Sequence, residues 1–112
     1  MAFTTATVTR VEQGNKQFQG AFSDMWAATL SVNPSSIAAG AEDIATFTIP
    51  GLAVGDMVVG VAAGVNLTVD ADVSAFVSAA NTLSIRISNV HASVALDLAA
   101  SEWKVLVGRP AW

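Results

Sequence analysis

The residues that could do chemistry in this 112-residue chain are few. His91 is the one histidine. It sits in Asn89-Val90-His91-Ala92-Ser93, a stretch that reads as a loop. A Ser-His-carboxylate set can be written on paper, but no Gly-x-Ser-x-Gly elbow presents a nucleophile. Without a converging set of groups the chain is not expected to be an enzyme. Asp70 and Asp72 stand two apart and share a face of an extended chain. Calcium wants six to eight oxygens, so Asp-Ala-Asp is expected to be a solvated turn and no metal site is expected. Glu42-Asp43 after Gly40 reads as a solvated strand start. Gly60 to Gly64 lacks the Lys-Ser/Thr that completes a phosphate loop, so a bend or bulge is expected there. No cofactor is expected.

Composition narrows the classes further. Charged residues make up 12% of the chain and hydrophobic ones 53%. Soluble domains usually carry about 25% charge. A small domain has much surface to cover, so a charge-poor chain points to burial against a partner, because charge is depleted at interface cores; the alternative is an alanine-rich monomer whose surface is covered by Ser, Thr, Asn and Ala. Net charge is −4 and no Lys/Arg run exists, which argues against nucleic acid. Cysteine is absent, as suits assembly in a reducing cytosol. The opening MAFTTATVTR lacks the pattern of a signal peptide. Val58 to Val65 is far short of the ~20 apolar residues needed to cross a bilayer, so no membrane partner is expected. Asn66-Leu67-Thr68 matches a glycosylation sequon and is read as chance.

The elements that would position these residues are short runs between Pro and Gly turns. Thr5–Glu12 reads as a strand, followed by a turn at Gln13-Gly14-Asn15-Lys16. Residues 17–30 carry two periods. Phe18, Phe22, Trp26 and Leu30 recur at helical spacing, while Trp26, Ala28, Leu30 and Val32 alternate as in a strand. Gly20 weakens the helix by about 1 kcal/mol. A hairpin return and a strand over 25–32 are expected, with a short helix as the alternative.

Strands are also expected over 41–49, 57–61, 83–88 and 102–107, with further alternation at 65–70 and 94–98. Residues 57–61 are apolar on both faces and are expected to be central or covered by a neighbour. Residues 72–80 are less regular and end in a turn at Ser78-Ala79-Ala80-Asn81. Gly108-Arg109-Pro110 is expected to stop the last strand. About seven or eight such strands imply an all-β chain: a single antiparallel β-sandwich, Greek-key, Ig-like or jelly-roll-like. Residues 1–29 are expected to form an N-terminal arm or hairpin packed on a sandwich domain of residues 30–112.

Trp26 and Trp103 alternate with aliphatic residues and are expected in the core. Trp112, after Pro110, is expected to dock on a neighbouring subunit or on its own domain, since Trp is enriched at interface hot spots. Phe3 invites the same reading. Phe18 and Phe22 join these two as candidate interface residues.

The order Ser31-Val32-Asn33-Pro34-Ser35-Ser36-Ile37-Ala38-Ala39-Gly40, then Thr46-Phe47-Thr48-Ile49-Pro50-Gly51-Leu52 and Val54-Gly55-Asp56, resembles a small β-sandwich structural module of tailed-phage virions. Val77-Ser78-Ala79-Ala80-Asn81-Thr82-Leu83 and Trp103-Lys104-Val105-Leu106-Val107 extend the resemblance over roughly residues 30–109. It implies a head decoration, or cement, protein on the capsid exterior, bound to the major capsid protein and assembled in the bacterial cytoplasm. It also implies a homo-oligomer, a trimer first of all. The alternative within the same resemblance is a tail or head fibre module that binds a host surface glycan. The loops around Ala62, Ala79 and His91 lack Trp and Tyr, which weighs against that alternative.

Overall fold

The computed structural model describes residues 5–13, 21–67 and 70–111. Among the described residues seven strands are present: β1 (Thr5–Gln13), β2 (Phe22–Asn33), β3 (Glu42–Thr48), β4 (Met57–Ala62), β5 (Ala71–Ala79), β6 (Thr82–Asn89) and β7 (Ser101–Pro110). They form two antiparallel sheets, of four strands in the order β1-β2-β7-β4 and three in the order β3-β6-β5. The chain is an all-β sandwich, as expected.

The inward faces follow the two-residue period of a pleated strand. Trp26, Leu30 and Val32 from β2 and Trp103, Val105 and Val107 from β7 meet Phe47, Leu83, Ile85 and Ile87 from the smaller sheet. The connections add Ile37, Ile49, Leu52 and Leu98 to the same core. Both tryptophans are fully buried, and each indole N–H is satisfied: Trp26 Nε1 donates to the Pro50 carbonyl at 3.2 Å and Trp103 Nε1 to Ser101 Oγ at 3.0 Å. A buried indole without such a partner would forfeit about 1–3 kcal/mol.

Residues 22–33 are strand throughout their described length, so the helical alternative is not adopted there. Tertiary pairing decides between the two periods, because β2 lies between β1 and β7 and both of its backbone edges are used. The described part of residues 1–29 supplies β1 and the first part of β2 to the larger sheet.

β4 is an edge strand, so of the two expectations for residues 57–61 the central position is not adopted; Val58 and Val61 face the core while Met57 and Val59 are exposed. Three local expectations are corrected in whole or in part. Residues 71–79 form a strand, β5, that runs into the expected turn; its register shifts between Val77 and Ala79, where the less regular reading holds. It was obscured because a small residue, Ala75, faces in while the large Phe76 faces out. The alternation at Val94–Leu98 is not a strand: this segment carries the chain from β6 to β7 and makes one bridge, Leu96 to Ile37. β7 does not stop at Gly108 but runs through Pro110. Proline is tolerated there because β4 begins opposite Gly108, leaving the strand end with β2 alone as neighbour. The alternation at 65–70 ends partly outside the described residues; Val65 and Leu67 are half-buried against the core without forming a strand.

Candidate interaction surfaces

His91 lies in the β6–β7 connection, as expected, and is tied to backbone rather than to a carboxylate. Its Nδ1 accepts the N–H groups of Ser93 and Val94, both at 3.0 Å. Asp70 sits in the turn before β5 and Asp72 on its exposed face. Among the described residues no group of three or more His, Asp or Glu side chains is placed to hold a metal ion. Gly60 falls at a β-bulge between Val58 and its own position, which fits the bend-or-bulge expectation.

Asp43 corrects the expectation of a solvated strand start. The alternation of β3 turns it inward beside Ala45 and Phe47, and it is 1% exposed. Neither carboxylate oxygen has a hydrogen-bond partner of good geometry. Burial pushes its carboxyl above the ordinary value; the backbone N–H groups of Ile44 and Ser35 oppose this without overcoming it.

Of the aromatic contact candidates, Phe3, Phe18 and Trp112 lie outside the described residues. Phe22 is half-buried on the outer face of the larger sheet, where its ring covers Gly108 beside Met25. The register sets Met25, Gly108 and Met57 in one row across β2, β7 and β4. Two further rows follow, Ala27–Leu106–Gly60 and Thr29–Lys104–Ala62. With so many small side chains in these rows, the face dips into a groove of about 550 Å³ lined by Ala27, Thr29, Gly60, Ala62, Lys104 and Leu106. Met57 and Val59 on β4 are exposed, as is Val54 (71%) in the turn before it.

The smaller sheet presents a different outer face. Ile44, Arg86 and Ser74 form one row, and Thr46, Ser84 and Phe76 the next. Arg86 lies over the Phe76 ring, 5.4 Å from its centre, and pairs with Glu42 at 3.6 Å. Ser and Thr side chains surround this stack. Sequence reading missed both faces, because each depends on which strands become neighbours.

Comparison with family models, with curated proteins and with solved structures finds no match.

Proposed function

We propose that this protein is a virion structural protein, a head decoration protein that self-associates and binds the major capsid protein on the outside of a phage capsid. The observation that carries this reading is the apolar outer face of the larger sheet. Met57 and Val59 of the edge strand β4 stand exposed, and the neighbouring groove is lined largely by Ala27, Gly60, Ala62 and Leu106, in a chain with 12% charged residues. Such a surface gains from being covered. The resemblance of residues 30–109 to virion modules supports the nature of the cover: sister chains, three by that resemblance, and the capsid shell. Cosedimentation with capsids and mass by light scattering test it. Retention on capsids that is lost in Met57→Lys/Val59→Lys supports the reading. A monomer at micromolar concentration that never binds capsids sinks it.

The Phe76–Arg86 stack favours one second reading, a fibre module for host glycans. Exposed aromatics offer apolar faces to sugar rings, and the surrounding hydroxyls can hydrogen-bond them. Specific glycan binding that Phe76→Ala abolishes would carry that alternative past the first.

A further inference from the structure

The turn after β6 is held by an Asx acceptor, Asn89, and by an imidazole, His91. Asn89 Nδ2 donates to the carbonyls of Ile37 at 3.0 Å and Val94 at 2.8 Å, and Asn89 Oδ1 accepts the His91 N–H at 3.0 Å. His91 then closes the turn from its side chain. One lone pair, on Nδ1, takes the N–H groups of both Ser93 and Val94. We propose that His91 is a protonation-sensitive clasp: the neutral ring closes the 89–94 turn and the doubly protonated ring opens it.

The chemistry follows from the donor count. Neutral imidazole has one donor and one acceptor nitrogen, and imidazolium has two donors. With Nδ1 accepting, the single proton of the neutral ring is on Nε2. A second proton enters at Nδ1, where it meets two N–H donors and finds no acceptor. Both bonds are lost and the ring must turn away. Val94, whose carbonyl is held by Asn89, is released from one side. Val90 and Val94 are both well exposed, so the opening rearranges an apolar part of the surface.

Charged groups on the elements meeting at this end are Glu42 and Asp43 at the start of β3, Asp70 and Asp72 at the start of β5, Arg86 on β6 and Asp97 further along the connection. Among the described residues Arg86 is engaged by Glu42. Histidine is the side chain suited to such a switch because its charge changes near neutral pH. The clasp stands apart from the virion reading and neither needs the other.

The test is a titration of the isotope-labelled full chain from about pH 8 to about pH 5 by NMR. The nitrogen shifts of the ring should place its single proton on Nε2. As the ring takes its second proton, the exchange protection of the Ser93 and Val94 amides should fall roughly tenfold, the loss expected for hydrogen bonds of ordinary net strength. The Ile85 amide in β6 should hold. In His91→Asn, whose amide oxygen accepts without titrating, protection should stay flat. A neutral ring protonated on Nδ1, unchanged protection through the titration, a fall shared by Ile85, or the same fall in His91→Asn each overturns the clasp; the wild-type measurements decide it even if the variant does not fold.

Discussion

Arg109 grips Asp56 with two parallel hydrogen bonds, Nε to Oδ1 and Nη2 to Oδ2, both 2.9 Å long. The residues are far apart in sequence, and their pairing ties the β3–β4 turn to the end of β7. Arg109 Nη2 also reaches the Gly51 carbonyl at 2.8 Å, and the guanidinium lies over the Trp26 ring. Asp56 in turn accepts the Ala53 N–H at 2.8 Å. Its side chain is 3% exposed, so this is no loose surface pair. Burial alone would raise the Asp56 carboxyl; the Arg109 bonds, the Ala53 N–H and the Arg109 charge together outweigh it and hold it below 3.8. Stability from this pair is therefore complete above pH 3.8 and is lost as pH falls through the lower folded-state value. Asp56→Asn should cost about 1–3 kcal/mol near neutral pH, and the difference from wild type should shrink as both are acidified. Urea unfolding at several pH values measures it.

Asp43 carries the opposite sign. Its folded carboxyl is raised above 3.8, so the fold holds that proton more tightly than the unfolded chain does. Its effect is absent below pH 3.8 and becomes progressively destabilising as pH rises from there to the folded-state value. The residue faces the core between β3 and its neighbours, opposite Ile87. Asp43→Leu has nearly the same shape and no charge to desolvate. It should raise stability by about 1–3 kcal/mol at neutral pH, and the gain should diminish at pH 3 or so, where the wild-type carboxyl is neutral. Equal gains at both pH values would place the effect in packing rather than in charge.

These two aspartates show what was legible in the sequence. The strict alternation Leu83-Ser84-Ile85-Arg86-Ile87 announced β6 and the sandwich, because a half-buried strand writes its own period. In β3 the same alternation put Asp43 on the inner face, but a carboxylate next to Glu42 reads as solvent-facing by residue type. Type misled where period was right. Edge position was illegible for another reason. Met57–Ala62 is apolar on both faces whether its outer face is covered or open, and only the sheet order decides. Asp56 and Arg109 could not be paired in advance, since nothing local links them. The clasp at His91 was hidden too, because the donors its ring would close on are backbone N–H groups.

Asn81 tests the turn chemistry that the sequence did announce. It ends the β5–β6 hairpin with φ of 60°, a conformation most side chains resist. Its Oδ1 accepts the Gly51 N–H at 2.8 Å, and its backbone exchanges bonds with Ile49 and Leu52. Asn81→Gly keeps the backbone conformation and loses the Oδ1 bond, for about 1 kcal/mol. Asn81→Ala loses the bond and adds the left-handed strain, for about 2 kcal/mol in all. Thermal or urea unfolding of the two variants should rank them in that order; equal losses would mean that the positive φ is relaxed at no cost.

Gly108 and Phe22 form the tightest approach on the outer face of the larger sheet. A Cβ placed on Gly108 would lie 2.5 Å from Phe22 Cδ1, 2.7 Å from Cε1 and 3.0 Å from Met25 Sδ. Two of these contacts are with a ring, which must swing as a unit to make room. Gly108→Ala should therefore destabilise by about 1–3 kcal/mol, as overpacking does. Phe22→Ala removes the ring and exposes apolar surface of its own accord. In the double variant the added methyl meets no ring, so the two losses should fall short of additivity by about 1 kcal/mol or more. A double-mutant cycle by urea unfolding reads that coupling directly. Strict additivity would mean that Phe22 does not cover Gly108 in solution.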